Sequence, residues 1–207
     1  MLKLRDYKVI YPGKTIEYGN ISVKENEFTG LYGSSGCGKT SLLDSIFSPN
    51  FRGNISYSEA TLFNKDLSVL GVEKYIYASY CPQFSQDALN PKLTVSEHIR
   101  LTLRGNKLSC DEAEINYILD ELSLGSNLLN SYPYMLSGGQ KQRVVILLSV
   151  IKNPKMIVLD EPSSALDLIT MTTIVKFLYK IRKNKTIMMV SHNRRLLNKL
   201  CEKIIEL

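Results

Sequence analysis

The chain has 207 residues, 44% hydrophobic and 22% charged, which suits one globular domain, or one domain with an insertion, and excludes collagen-like, low-complexity and disordered classes. Its net charge of +6 comes without a Lys/Arg block interleaved with aromatics, so it reads as a solvated surface near anionic lipid or nucleotide, and nucleic acid is not an expected partner. The 4 cysteines make no C-x-x-C pair, which argues against a zinc site or disulfide framework and for a reducing cytosolic compartment, and the longest apolar run, residues 144–151, is too short to span a bilayer.

Strands are predicted at residues 3–10, 16–23 and 27–32. The first alternates apolar and charged residues, as a strand does and a leader peptide does not. With no helix between them, the first strands suggest an antiparallel subsheet. The third runs straight into Gly33-Ser34-Ser35-Gly36-Cys37-Gly38-Lys39-Thr40. This is the G-x-x-x-x-G-K-[ST] phosphate loop, a pattern that chance places in roughly 1% of chains of this length. Its glycines let successive N–H groups turn towards a phosphate. A helix predicted from Lys39 to before Pro49 presents its positive end to the same anion, with Ser41 in its first turn. Lys39 should reach the β- and γ-phosphates, and the Thr40 hydroxyl should coordinate Mg²⁺. The order G-x-x-G-x-G argues against a dinucleotide fold. Cys37 occupies a place that needs only a small residue donating its N–H, so a nucleophilic role is not expected.

Short strands follow near residues 53–57 and 77–81. Residues 94–132 change to helical apolar spacing, as in Ile115, Ile118, Leu119 and Leu122. They are predicted as a small helical insertion, dividing the chain into a core of residues 1–93 and 133–207 and a subdomain of residues 94–132. His98 within it has no motif context and is expected to be simply exposed. A helix is predicted over residues 137–151. Met156-Ile157-Val158-Leu159 reads as a strand buried on both faces. Asp160 and Glu161 follow at its C-terminal end, where ligands of parallel sheets collect. Asp160 suits Mg²⁺, through water. Glu161 suits a general base, and Pro162 biases it towards extended geometry. Helix 167–182, strand 186–190, helix 193–200 and strand 203–207 close the chain. The alternation predicts an α/β protein, a P-loop core with a mainly parallel sheet, an N-terminal antiparallel β-subsheet and a small α-helical subdomain.

Leu136-Ser137-Gly138-Gly139-Gln140 adds a second anion site. Ser137 and Gln140 have the spacing of a capping box. Gly138 and Gly139 should leave that helix end bare, so that its N–H groups, the Ser137 hydroxyl and the dipole face a phosphate. One nucleotide seldom needs two γ-phosphate cradles in one chain. The economical reading is that this end serves a nucleotide bound to another subunit. Taken alone, the pentad also fits an ordinary capped helix.

These motifs together resemble the ATP-binding-cassette (ABC) ATPases over nearly the whole chain. The resemblance implies ATP and Mg²⁺ as ligands. It places Tyr11 as the adenine-stacking aromatic, with Tyr7 a second candidate. It makes Gln83, after strand 77–81, the glutamine that looks towards Mg²⁺ and couples to a membrane partner. Leu136–Gln140 becomes the signature motif, Ser164-Ala165-Leu166-Asp167 the loop crossing the dimer interface, and His192 the histidine that contacts the γ-phosphate. It further implies a head-to-tail dimer with a second ABC ATPase subunit, transmembrane permease subunits, an extracytoplasmic binding protein acting indirectly, and a cytoplasmic position on the inner face of the cell membrane. Gln86 to Pro91, Leu93-Thr94-Val95 and Tyr132-Pro133 are similar to the bacterial dipeptide, oligopeptide and nickel importer group. Two other expectations compete: a soluble ABC protein acting on nucleic acid or the ribosome, and a non-catalytic subunit. The first usually has long coiled coils or two cassettes, and the second loses motif residues.

Overall fold

A computed structural model describes residues 1–162 and 167–207. In chain order the strands are β1 (Leu2–Tyr11), β2 (Lys14–Val23), β3 (Phe28–Tyr32), β4 (Asn54–Ser56), β5 (Glu59–Leu62), β6 (Lys65–Asp66), β7 (Ala78–Cys81), β8 (Met156–Asp160), β9 (Thr186–Ser191) and β10 (Lys203–Glu206). The helices are α1 (Lys39–Phe47), α2 (Leu67–Leu70), α3 (Lys74–Tyr77), α4 (Val95–Gly105), α5 (Glu112–Glu121), α6 (Gly138–Ile151), α7 (Leu168–Ile181) and α8 (Arg194–Leu200).

One sheet has the order β10-β3-β9-β8-β7, with every neighbouring pair parallel. The other has the order β2-β1-β5-β6 with β4 also on β1, all antiparallel. The expected antiparallel subsheet therefore holds β1 and β2 but not the third N-terminal strand. Phe28, Thr29, Gly30 and Leu31 of β3 are all buried, whereas β1 and β2 expose alternate residues. A strand buried on both faces belongs at the centre of a parallel sheet. The strands β5 and β6 and the short helices α2 and α3 had no distinct periodic signal.

The parallel sheet separates two cores. Phe28, Ile157, Leu159, Ile187 and Met189 face a core shared with α4 to α8. Leu31, Met156, Val158, Met188 and Val190 face one shared with α1 and the antiparallel sheet. Each fully buried aliphatic side chain contributes roughly 1.5–3 kcal/mol, so β8, buried along its whole length, anchors both layers. This fixes where β8 ends, and with it where Asp160 and Glu161 stand.

The helices α4 and α5 start at well-formed caps. Thr94 and Glu97 make a reciprocal capping box, and Asp111 accepts the N–H groups of Ala113 and Glu114. Their apolar faces (Val95, Ile99 and Leu103; Ile115, Ile118 and Leu119) pack against α6 in the shared core. His98 is not simply exposed. It is half-buried, its Nε2 accepts the Asn90 N–H at 3.0 Å, and its Nδ1 lies 2.8 Å from the Thr94 carbonyl. Since Nε2 accepts, Nδ1 carries the proton and donates, which makes His98 a neutral brace between the loop and α4.

Candidate functional site

The C-terminal ends of β3, β7, β8 and β9 converge on a cleft of about 450 Å³. It is lined by Ser35, Gly36, Gly38, Lys39, Thr40, Ser41, Gln83, Glu161 and His192, together with Lys14 and Ile16 of β2. Residues more than 150 positions apart meet because parallel strands deliver all their C-terminal ends to one edge of the sheet.

The loop wraps itself around Lys39. The lysine is 7% exposed, and its Nζ donates to the carbonyls of Gly33 and Ser34, each at 2.9 Å. Two of its three N–H bonds are spent on the loop, leaving one for an outside acceptor. Gly38 precedes α1 at φ 103°, which a side chain adopts only under strain, and a Cβ there would meet the Tyr18 hydroxyl at 2.8 Å. That hydroxyl donates to the Gly38 carbonyl. The Cys37 N–H, expected to face a phosphate, closes a turn on the Ser34 carbonyl at 3.3 Å. Its thiol stands where a Cβ on Gly33 would be, 2.6 Å away, so Cys37 is the side chain that packs the loop.

Asp160 is 1% exposed. Its Oδ2 accepts the Thr40 hydroxyl at 2.8 Å, while Oδ1, also buried, has no hydrogen-bond partner. Burial pushes its pKa up to about 6; the Thr40 hydrogen bond opposes this, and the Glu161 and Asp44 carboxylates reinforce it. An orphaned carboxylate oxygen beside a hydroxyl is an oxygen donor set of the kind a hard divalent cation takes. Among the described residues no group of three His, Cys, Asp or Glu could hold a metal by itself, so such a cation would share its ligands with a bound phosphate.

The raised folded-state pKa means that the fold favours the neutral acid. That contribution is complete below the unfolded value of 3.8 and is lost as pH rises through about 6. In metal-free protein, Asp160→Asn should therefore stabilise the fold at pH 8, by up to about 3 kcal/mol and with a higher thermal midpoint, and change it little below pH 3.8. Melting curves at the two pH values check this. An equal effect at both would show that the charge of Asp160 is not the cause.

Glu161 corrects the sequence expectation. It is not extended but sits at φ 47°. Its N–H still completes the ladder to the Val190 carbonyl, and the chain then turns so that the carboxylate faces the end of β9. There Oε1 accepts the His192 N–H at 2.8 Å and lies 3.0 Å from His192 Nδ1; Oε2 is 3.3 Å from Ser191 Oγ, and Lys39 Nζ is 3.9 Å from Oε1. Left-handed backbone before proline is costly, and tertiary contacts hold it here.

Two expected groups lie apart from the cleft. Tyr11 does not line it and makes an edge contact with Phe51 at 5.9 Å, while Tyr7 is fully buried and hydrogen-bonded to Ser45. Ser137, Gly138, Gly139 and Gln140 also lie outside it. Ser137 caps α6, with its Oγ accepting the Gln140 N–H at 3.2 Å and its own N–H donating to Gln140 Oε1 at 2.8 Å. Only Gly138 leaves the helix end bare, since a Cβ there meets nothing within 4 Å. At Gly139 a Cβ would strike Thr170 Oγ1 at 2.5 Å, so that glycine permits close approach of α7. Residues 164–166 of the expected interface loop fall outside the described residues; Asp167 caps α7 by accepting the Thr170 N–H.

The structure adds residues that no motif named. Lys14 and Ile16 enter the cleft from the β1–β2 hairpin, where nothing in their spacing marks them. Arg143 ties the pentad to the turn that follows α5: it donates to the Gly139 carbonyl at 3.2 Å and to those of Leu122 and Ser123 at 3.1 Å each. A single arginine one turn into a helix carried no sequence signal for that role.

A phosphate loop after an interior parallel strand, with two carboxylates at the end of a second strand one place beyond its neighbour in the same sheet, defines a P-loop nucleoside-triphosphate hydrolase. The family profile described as ABC transporter matches residues 17–164. HrtA of Staphylococcus aureus (strain Newman), provisionally named a hemin import ATP-binding protein, is 34% identical over 204 residues, 94% of this chain and 88% of HrtA. The dipeptide transport ATP-binding protein DppD of Caldanaerobacter subterraneus is 28% identical over 222 residues, 99% of this chain and 68% of DppD. A dimeric bacterial ABC transporter cassette superposes with a TM-score of 0.77 at 28% identity, covering 100% of this chain and 94% of that one. A post-hydrolysis state of such a cassette holds ADP and Pi. The chain belongs to the ABC transporter family and is its ATP-binding, ATP-hydrolysing component. No helix among the described residues is long and apolar enough to cross a membrane.

Proposed function

We propose that this chain is the ATPase subunit of a membrane importer for peptides or metal chelates, working as a head-to-tail pair with a copy or paralogue, beneath permease subunits on the cytoplasmic face. The observation that carries the pairing is the separation of the two anion sites. The cleft holds Lys39, Glu161 and His192, while the capped end of α6 at Ser137 opens elsewhere. In its capping box the Ser137 hydroxyl accepts, so its proton remains for a phosphate of the partner's nucleotide. Residues 94–132 are the helical insertion that leads to this end. The importer reading, and the peptide or chelate cargo, rest on the relatives named for dipeptide transport and hemin import.

In this reading the phosphates of ATP lie in the loop of residues 33–40, with Ser41 in the first turn of α1. Lys39 keeps its hold on the loop carbonyls and gives its remaining N–H to the phosphates. Tyr11 lies against Phe51 outside the cleft, whereas Lys14 and Ile16 face it. The unpartnered Oδ1 of Asp160 and the Thr40 hydroxyl fit Mg²⁺, with Gln83 nearby in the same cleft; bound there, the ion neutralises charge on the β- and γ-phosphates. Glu161 takes a proton from water as the water oxygen bonds to the γ-phosphorus and the bond to the β-phosphate oxygen breaks. His192 holds Glu161 in place for that transfer.

A larger concavity of about 700 Å³ supports the permease partner. Its rim includes Val72 and Ile76, 80% and 56% exposed, and Leu101 at 52%. An apolar groove suits a protein segment and not a nucleic-acid backbone. Lys152 in it donates to the carbonyls of Tyr75 and Ala78. Pro82 lines the groove while the adjacent Gln83 lines the cleft, so two successive residues face both sites. Cell fractionation tests this. The parent chain should sediment with membranes, and Val72→Glu with Ile76→Glu should release it with unchanged ATP affinity. A parent chain found wholly in the soluble fraction overturns the transporter reading.

A further inference from the structure

We propose that Ser191 is a positioning residue for ATP hydrolysis, aiming the Glu161 carboxylate at the attacking water. The inference rests on Glu161 being the group that accepts the proton of that water. Ser191 ends β9 and is 0% exposed. It does not line the cleft, so it acts through Glu161 and not on the nucleotide.

The hydrogen-bond directions follow from the donor inventory. Ser191 Oγ lies 3.0 Å from the Asn193 nitrogen and 3.3 Å from Glu161 Oε2. A backbone N–H only donates, so Oγ accepts there and turns its own proton to Oε2. Meanwhile Oε1 accepts the His192 N–H. Both carboxylate oxygens are therefore gripped by consecutive residues of the β9–α8 turn, one by a backbone group and one by a side chain. The His192 contacts fix Oε1. The grip on Oε2 sets its plane.

The backbone makes this second grip necessary. At φ 47° before a proline, Glu161 has left the strand geometry that would direct an extended residue's side chain. Its aim depends on what holds the carboxylate. Asn193, whose N–H orients the Ser191 hydroxyl, is also the N-cap of α8, with its side chain accepting the Leu196 N–H at 3.1 Å. The hydroxyl thus references Glu161 to the start of a packed helix. A misplacement of about 1 Å in a reacting group can cost about 10²-fold in rate.

The test uses the full chain, with steady-state ATP hydrolysis, equilibrium ATP binding and thermal melting on Ser191→Ala, Ser191→Thr, Glu161→Gln and the Ser191→Ala/Glu161→Gln double variant. Ser191→Ala should lower kcat about 10- to 100-fold with ATP affinity within about 2-fold of the parent. Ser191→Thr, which keeps the hydroxyl, should recover most of the rate. On the Glu161→Gln background Ser191→Ala should add no further loss, because both act on one proton transfer. If the alanine variant does not fold, Ser191→Cys, a poorer donor of similar size, takes its place with the same expectation. A parent-like kcat for Ser191→Ala, no recovery by threonine, or a full additive loss in the double variant overturns the proposal. Parent-rate hydrolysis by Glu161→Gln alone instead overturns the role of Glu161, whatever Ser191 does.

Discussion

Glu161→Gln lowers ATP turnover by about 10²–10⁴, the usual cost of losing a general base. ATP binding survives, and the ATP-loaded pair stays closed. The structure gives the reason for both halves. A glutamine carbonyl can still accept the His192 N–H that Glu161 Oε1 accepts at 2.8 Å, so that contact survives. It cannot take a proton from water. Removing the carboxylate charge 3.9 Å from Lys39 Nζ also leaves that ammonium more available to the phosphates. Single-turnover hydrolysis and gel filtration with ATP check the two halves. Hydrolysis at the parent rate would show that the proton goes elsewhere.

Lys39→Ala removes tight ATP binding. Its ammonium bridges the Gly33 and Ser34 carbonyls from a nearly buried position, so the substitution takes away both the phosphate contact and the clamp that keeps the loop closed. A hydrogen bond to a charged group contributes about 1.5–3 kcal/mol, and 1.4 kcal/mol is a factor of ten, so the affinity should fall by about 10²-fold or more once the loop also loosens. Equilibrium titration with a fluorescent ATP analogue measures it. Lys39→Arg should not rescue fully, because a planar fork cannot replace a compact ammonium held between two carbonyls. An unchanged affinity in Lys39→Ala would mean that the loop's N–H groups hold the nucleotide without it.

The regular elements were legible because their signals are local. The continuous apolar run at residues 156–159 announced a strand buried on both faces, and the capping pair Ser137 and Gln140 announced the start of α6. The glycines and lysine of the phosphate loop have fixed chemistry at fixed spacing, so their neighbourhood could be read without coordinates. Where the sequence misled, a distant contact outweighed a local preference. Pro162 favours an extended Glu161, but the grip of Ser191 and His192, thirty residues on, turns it. Isolated His98 looked idle, but Asn90 and Thr94 lie within its reach. The third strand followed two antiparallel ones and yet pairs between β9 and β10, because only the centre of the sheet covers both its faces.

The sequence alone determined the family, the α/β class, the phosphate loop and the chemistry expected at each motif, since each depends on residue types at short range. The tertiary structure decided which groups share a cleft: Lys14 and Ile16 enter it, and Tyr11 and the pentad stand outside it. It also decided how Glu161 is aimed and why Gly139 must be glycine. Those outcomes depend on packing between segments far apart in the chain, where a few ångströms of separation set by two cores, and no local pattern, choose the partner.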